Sequence, residues 1–295
     1  MKKIISFLFC VPLLLDAQLS QGRQSYSING RNYDVTTPSN YDTAKEYPIV
    51  FELHSFGNNK TQMHDQVIID QQQYISVRPE GKYVNLLVWS GNVWNTWSET
   101  ESITGNSNDV AYITSVYNDV KQKVGSVFNS EKVYVYGFSN GGAMAMKMIE
   151  ETNLFKAAII RSMSFTSGHT IPSTASKIPM IFVFGTADET IPYQGGKGQY
   201  GVLSPSFESI KDTVGKWSTH LGLSNPVEIK YLKGSSTASN KDFYFREYSH
   251  STNPLYFFVI DGGVHATADQ FSNANIKRAL IRLGKDPKRY GIYRP

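Results

Sequence analysis

The sequence is poor in cysteine, in charge and in long apolar runs. Its 295 residues include a single cysteine, Cys10, so the chain has neither an internal disulfide framework nor a cluster of thiolate metal ligands. Charged residues make up 18% and the formal net charge is only +4, which is too small and too scattered to indicate a nucleic-acid partner. The longest apolar run, residues 4–15, is shorter than the roughly 20 residues that cross a bilayer as a helix, so stable membrane insertion is not predicted.

This apolar run is typical of an export signal. Lys2 and Lys3 form a basic start in front of it, and Ala17 behind it is a small residue at a plausible cleavage site. We therefore predict a signal peptide over residues 1–17 and a mature domain over residues 18–295 that is secreted or periplasmic. A buried N-terminal strand is the alternative interpretation, but it gives no reason for the paired lysines.

The rest of the chain alternates between short apolar runs and amphipathic stretches. Apolar or alternating runs predict strands at residues 26–28, 32–35, 48–53, 74–77, 133–136, 157–160, 180–184, 227–232, 243–248 and 255–260. Helical spacing predicts helices over residues 113–124, 141–151, 207–221 and 275–283. Asn29 and Gly30, between the first two strands, are a strong hairpin signal. The alternation predicts an α/β fold with one mostly parallel sheet, flanked by helices on both faces, whose strand C-termini share one edge.

One short motif stands between a predicted strand and a predicted helix. Residues 137–141 match G-x-S-x-G, and in this context the motif predicts a nucleophile elbow with Ser139 on a sharp, strained turn. Side chains at Gly137 and Gly141 would clash in such a turn. The N–H groups at the start of the following helix favour a developing anion. The alternative is a glycine-rich turn with an incidental serine.

A serine nucleophile needs a histidine base and a carboxylate that orients the base. In this type of site the chain order is serine, acid, histidine. His265 follows the last predicted strand and is the predicted base, although a loop histidine bonded to backbone is the alternative. Asp188 follows the strand over residues 180–184 and is the predicted acid, and Glu189 is the alternative candidate.

The other candidates for acid and base are interpreted as structural residues. Asp261 is close to the predicted base in sequence, but it lies at a turn that it could cap. Asp109 opens a helix, where an N-cap or another structural role is expected. His169, His220 and His250 lie in polar surroundings and are predicted to be surface histidines.

An oxyanion hole needs two backbone N–H groups that point at one oxygen. The first is predicted from Asn140, the residue after the nucleophile. The second should come from the loop after the strand over residues 48–53, with Phe56 as first choice and Ser55 as second. His54 precedes these two residues, so we predict that it orients the loop and borders the substrate site.

Aromatic residues are concentrated near the predicted site. Three tryptophans fall within residues 89–97, and aromatic faces bind flat phenolic acids or sugar rings. Trp94 and Trp97 are therefore predicted to bind substrate, with Tyr193 as a second wall; packing in the core or at the rim is the alternative for the tryptophans. No group of His, Asp or Glu has the spacing of a metal site, so no metal is predicted.

Taken together, these motifs resemble the secreted α/β-hydrolase esterases of the feruloyl esterase and polyhydroxybutyrate depolymerase-like family. The resemblance rests on Leu-His-x-x-Gly-Asn-Asn at residues 53–59, the elbow extended through residues 142–144, Gly-Thr-Ala-Asp at 185–188, Ile-Pro-Tyr-x-Gly-Gly at 191–196 and Gly-Gly-Val-His at 262–265. It implies a single-domain α/β-hydrolase fold. It also implies a carboxylesterase that works without a cofactor through Ser139, Asp188 and His265.

The resemblance also implies a substrate class. Feruloyl or acetyl esters on plant-wall polysaccharide rank first, because polyester depolymerases of this kind often carry an extra binding domain and none is visible here. A polyhydroxyalkanoate or other aliphatic polyester depolymerase is the alternative, and a serine peptidase of the same fold is a third. A catalytically silent carbohydrate-binding protein is the alternative of another class. Three departures from the family pattern concern the pocket: Ser55 replaces a glycine, Phe184 replaces a histidine, and neither Trp nor Pro follows His265.

Overall fold

A computed structural model describes residues 18–199, 204–223, 227–232, 243–248, 253–265, 278–281 and 284. The predicted signal peptide over residues 1–17 and His250 lie outside the described residues. Of the helix predicted over residues 275–283, residues 278–281 are described, and they are helical. No described helix is long and apolar enough to cross a membrane.

The described strands and helices largely follow the predicted alternation. The strands are β1 (Arg23–Ile28), β2 (Arg31–Thr36), β3 (Ile49–Leu53), β4 (Ile75–Pro79), β5 (Lys82–Leu86), β6 (Trp89–Val93), β7 (Val133–Phe138), β8 (Ala158–Arg161), β9 (Met180–Gly185), β10 (Gly196–Lys197), β11 (Ser206–Phe207), β12 (Val227–Leu232), β13 (Phe243–Tyr248) and β14 (Leu255–Ile260). The helices are α1 (Gln66–Gln72), α2 (Ser98–Thr104), α3 (Asp109–Val124), α4 (Asn140–Glu151) and α5 (Ile210–Leu221).

Ten strands form one sheet in the order β1-β2-β4-β3-β7-β8-β9-β14-β13-β12. The six central strands, from β4 to β14, run parallel, and antiparallel pairs extend the sheet at both ends. This confirms the predicted mostly parallel sheet and the single-domain α/β-hydrolase fold. Because β3, β7, β9 and β14 are parallel, the segments that follow them emerge at the same edge of the sheet.

Apolar side chains cover both faces of the sheet. The inner strands β3, β7, β8 and β9 are buried along their whole length, as continuous apolar runs predict. On one face, α3, α4 and α5 bury Val116, Met144 and Val214 in the larger core. On the other face, α1 and the described C-terminal helical residues bury Ile68 and Leu280 in a second core. The sheet therefore lies between two helical layers.

Local turn chemistry accounts for several element boundaries. The predicted β1–β2 hairpin is confirmed: Asn29 and Gly30 both have positive φ, 52° and 72°, which the tight turn between these strands requires. The predicted start of α5 was wrong. Phe207 pairs in the small β10–β11 ladder, and the helix begins at Ile210 because the Ser209 side chain caps it.

The stretch around the clustered tryptophans contains two strands and a helix that were not predicted from the sequence. Strands β5 and β6 pair as an antiparallel hairpin that forms a two-stranded sheet of its own, and α2 follows it. The sequence shows no obvious turn motif here, because Leu87 and Val88 connect the two strands. Both of these apolar side chains are almost fully exposed.

Candidate active site

Ser139 occupies a strained turn between β7 and α4. Its φ is 56° and its ψ is −123°, a conformation that a non-glycine residue rarely adopts. The close approach of the chain explains the glycines on either side. A Cβ on Gly137 would lie 2.1 Å from the Gly141 carbonyl oxygen, and a Cβ on Gly141 would lie 2.2 Å from the Leu53 carbonyl oxygen. The predicted elbow geometry is therefore present.

The structure brings the three predicted triad side chains into contact. The Ser139 hydroxyl lies 2.9 Å from Nε2 of His265, and Nδ1 of His265 lies 2.8 Å from Oδ2 of Asp188. An ionised carboxylate only accepts hydrogen bonds, so Nδ1 carries the ring proton and Nε2 is left to accept from the hydroxyl. The other Asp188 oxygen accepts the backbone N–H groups of Thr190 and Ile191, at 3.0 and 2.9 Å.

Backbone contacts bring His265 to the elbow. The Ala187 N–H donates to the Gly263 carbonyl at 2.9 Å, which joins the loop after β9 to the loop after β14. A Cβ on Gly185 would lie 2.1 Å from the same carbonyl oxygen, so this approach requires glycine. The Ser162 hydroxyl donates to the His265 carbonyl at 3.3 Å. The base is thus held by the ends of three neighbouring strands.

The alternative acids have structural contacts instead. Glu189 is exposed and accepts from the side chain of Gln199 at 2.8 Å. Asp261 accepts from the Thr186 hydroxyl at 3.1 Å, so it joins the loop after β14 to the loop after β9. Asp109 is buried and accepts the Asn95 N–H at 2.6 Å. Of its two predicted roles, N-cap and another structural role, this contact supports the second.

The N-cap prediction for Asp109 was wrong, because the cap of α3 is Asn108, whose side chain accepts from the Ala111 N–H. Asp109 is instead ion-paired with Arg31.

The prediction that the histidines are simple surface residues also needs correction. His169 is half-buried and lies 2.8 Å from Glu150, and His220 is half-buried with Nε2 3.1 Å from a backbone carbonyl. Among the described residues, no group of three His, Cys, Asp or Glu is placed to hold a metal ion.

Asn140 joins the elbow to the segment after β6. Its side-chain oxygen accepts the Trp94 N–H at 2.8 Å, and its side-chain nitrogen donates to the Trp94 carbonyl at 3.1 Å and to the Thr96 hydroxyl at 3.0 Å. Asn140 is also the first residue of α4, where backbone N–H groups have no partner within the helix. Its amide therefore lies at the end of the helix that favours negative charge.

Ser55, in the loop after β3, is hydrogen-bonded to the side chain of Gln62. The Ser55 N–H donates to the side chain of Gln62 at 2.8 Å, so this amide already has a hydrogen-bond partner. The second-choice assignment of Ser55 to the oxyanion hole was therefore wrong. Gln62 also bonds the Ser55 hydroxyl, which explains how the loop accommodates a serine. Sequence reasoning missed Gln62, because no motif links these two positions.

His54 is fully buried, so its assignment to the substrate border was wrong and its loop-orienting role is the one that fits. Its Nδ1 lies 2.8 Å from the Ser55 carbonyl, and its Nε2 accepts the Gly81 N–H at 2.9 Å. Burial lowers the pKa of His54 to about 4, and the nearby Arg31 charge acts in the same direction. The ring is therefore neutral at pH 7, with its proton on Nδ1.

Two of the predicted substrate-binding aromatics are also buried. Trp94 is inaccessible and donates its indole N–H to the His54 carbonyl at 3.0 Å, so it is a core residue. Tyr193 is 8% exposed and packs edge-on against Phe184, which shows how the ring that replaces the family histidine is accommodated. Trp97 is half-buried and lines a pocket of about 140 Å³ beside α4.

Comparisons with known proteins find esterases among the chains that are similar to this one. The phospholipase/carboxylesterase family model matches residues 40–225. Feruloyl esterase C of Emericella nidulans is 26% identical over 239 residues, which cover 80% of this chain and 77% of that protein. Probable feruloyl esterase C of Aspergillus niger is 25% identical over 242 residues, covering 81% and 77%. The solved CE1 ferulic acid esterase of Anaeromyces mucronatus has 14% identity and a TM-score of 0.56 over 89% of each chain, which shows a shared fold.

Proposed function

The chain belongs to the phospholipase/carboxylesterase family and is a carboxylic ester hydrolase, and we propose that Ser139, His265 and Asp188 form its catalytic triad. The observation that carries this proposal is the continuous pair of hydrogen bonds from the Ser139 hydroxyl through His265 to Asp188, at 2.9 and 2.8 Å. This arrangement has the order of groups that acyl transfer through a serine requires.

In the first step, Nε2 of His265 removes the proton of Ser139 while the serine oxygen attacks the ester carbonyl carbon. The resulting tetrahedral intermediate collapses when the protonated His265 gives that proton to the leaving alcohol. The C–O bond to the alcohol breaks and an acyl-serine remains. Asp188 keeps the ring proton on Nδ1 and stabilises the positive charge of the imidazolium.

In the second step, the same His265 removes a proton from a water molecule, whose oxygen attacks the acyl carbon. The bond to Ser139 then breaks, the serine oxygen takes the proton back from Nε2, and the acid leaves. We assign the oxyanion in both steps to the backbone N–H groups of Asn140 and Phe56. Loss of one such donor typically costs about 10²–10³ in rate, so the position of the loop that carries Phe56 is important.

We propose feruloyl or acetyl esters on plant-wall polysaccharide as the substrates, hydrolysed outside the cytoplasm. Support comes from the two relatives, whose names describe them as a feruloyl esterase and a probable one. Trp97 offers a partly accessible aromatic surface in the pocket beside α4, the helix that follows Ser139, and such a surface suits a phenolic or sugar ring. Export is supported by the basic and apolar pattern of residues 1–17, which is typical of a cleaved signal.

A second candidate substrate is an aliphatic polyester. The observation that favours it is the turn between β5 and β6, where Leu87 and Val88 are exposed to 102% and 92%. Adjacent exposed apolar side chains of this kind are typical of a contact with an apolar surface.

The test is hydrolysis by the chain from Gln18 onward of methyl ferulate, p-nitrophenyl acetate and a polyhydroxybutyrate film. Ser139→Ala should abolish all turnover, whereas Ser102→Ala, an exposed serine on α2, should leave it unchanged. Release of ferulate supports the first candidate, and loss of film mass without ferulate release supports the second. Activity that persists in folded Ser139→Ala would refute the triad.

A further inference from the structure

We propose that the β5–β6 hairpin, through Trp89, positions the Phe56 amide toward the oxyanion. This inference rests on the proposed function, in which Phe56 supplies one of the two oxyanion donors. Trp89 is a positioning residue here, because it acts through the loop after β3 that carries the Phe56 amide.

The first observation is a ring stack between the hairpin and the loop. The Trp89 and Phe56 rings have centroids 5.0 Å apart and planes inclined by 23°. Trp89 is the first residue of β6 and pairs with Leu86 at the end of the hairpin. The Phe56 side chain is thus packed against an element that stands outside the ten-stranded sheet.

The second observation is the close approach of the two backbones next to this stack. Gly57 has a φ of 76°, and a Cβ there would lie 2.9 Å from the Trp89 ring. A Cβ on Gly91 would lie 2.6 Å from the Gly57 carbonyl oxygen and 2.8 Å from its Cα. Glycine at both positions lets β6 and the Trp89 ring lie directly on the loop.

The third observation is a pair of hydrogen bonds from the same strand. The Gly57 N–H donates to the Asn92 carbonyl at 2.9 Å, and the Asn92 side chain donates to the Asn58 carbonyl at 2.9 Å. On the other side of Phe56, Ser55 bonds Gln62. Phe56 therefore lies between two anchored segments, and the Trp89 ring holds its side chain.

These contacts matter because an oxyanion donor works only when it is already aligned before the charge develops. Movement of a donor by about 1 Å can cost on the order of 10²-fold in rate. Loss of the Trp89 ring removes the stack on Phe56 and the packing over Gly57, while the triad hydrogen bonds are left in place. The predicted defect is thus in transition-state stabilisation rather than in substrate binding.

The experiment compares Trp89→Leu and Trp89→Phe with wild type, using p-nitrophenyl acetate and inhibition by a soluble trifluoromethyl ketone. Trp89→Leu should lower kcat about 10- to 100-fold with KM within about twofold, and should weaken inhibitor affinity by the same factor as kcat/KM. Trp89→Phe retains an aromatic face and should restore both to within about threefold of wild type. Tyr83→Ala, a 60% exposed residue of the same hairpin, is the matched control and should leave both unchanged.

Unchanged kcat and inhibitor affinity in Trp89→Leu would overturn the inference, as would a change in KM alone or an equal defect in Trp89→Phe. Trp89→Leu keeps apolar bulk, and unfolding curves of both variants separate a folding defect from a catalytic one. The outcomes are distinct from those for the proposed function. Activity that survives in Ser139→Ala would overturn both proposals, whereas an inactive Ser139→Ala with unaltered Trp89 variants overturns only this one.

Discussion

Protonation of His54 should destabilise the folded protein in mildly acidic solution. The ring is fully buried, its Nε2 accepts the Gly81 N–H, and its Nδ1–H donates to the Ser55 carbonyl. A proton added to Nε2 would replace an acceptor with a donor that faces another N–H group. It would also place a positive charge in a buried position near Arg31.

The size of the effect follows from the pKa of His54. Burial lowers this pKa from the ordinary 6.5 to about 4 in the folded chain. As the pH falls below 6.5, the unfolded chain takes up a proton at His54 before the folded chain does, so stability is lost through this window and levels off below about pH 4. At about 1.4 kcal/mol per pH unit, the free energy of unfolding should fall by about 3 kcal/mol between pH 7 and pH 4.

The assay is urea unfolding of wild type and His54→Gln at pH 7, 6, 5 and 4. Glutamine does not titrate and offers an oxygen that can accept the Gly81 N–H. Carboxylates elsewhere affect both proteins alike, so the difference between the two isolates His54. Wild type should lose about 3 kcal/mol more than the variant over this range.

Parallel pH profiles for the two proteins would refute the reasoning. A second measurement is independent of the variant: the His54 ring signals in an NMR titration of folded wild type should remain those of a neutral imidazole at pH 5. A titration midpoint near 6.5 would show that burial does not control the pKa.

Three further outcomes follow from the geometry. Asp188→Asn should lower kcat for p-nitrophenyl acetate by about 10³–10⁴-fold, because an amide does not enforce the working imidazole tautomer; a loss under tenfold would contradict this. Gly137→Ala should prevent correct folding, as measured by circular dichroism, because its Cβ would lie 2.1 Å from a backbone oxygen. Gly215→Ala, on α5 with open space around it, should instead raise Tm. Ser209→Ala removes the cap of α5 and should cost about 1 kcal/mol in urea unfolding, and an unchanged midpoint would argue against the cap.

Features that depend on neighbouring residues along the chain were predictable. The hairpin turn at Asn29 follows from residue types that tolerate positive φ. The elbow at Ser139 follows from the glycines at 137 and 141, which leave room for the close approach of the chain. The strand alternation also predicted that Asp188 and His265 follow strands, and parallel strands share an edge. The contact among the three side chains was therefore expected from the order of elements.

Features that depend on distant neighbours were not predictable. Trp94 and Trp97 are three positions apart and look alike in the sequence, yet one is inaccessible and the other lines a pocket. The low pKa of His54 arises from packing by segments remote in the chain. The hydrogen bond of the Ser55 amide depends on where the Gln62 side chain lies. Backbone dihedral limits act within a few residues, so sequence patterns report them; burial and hydrogen-bond partners depend on which segments the sheet brings together.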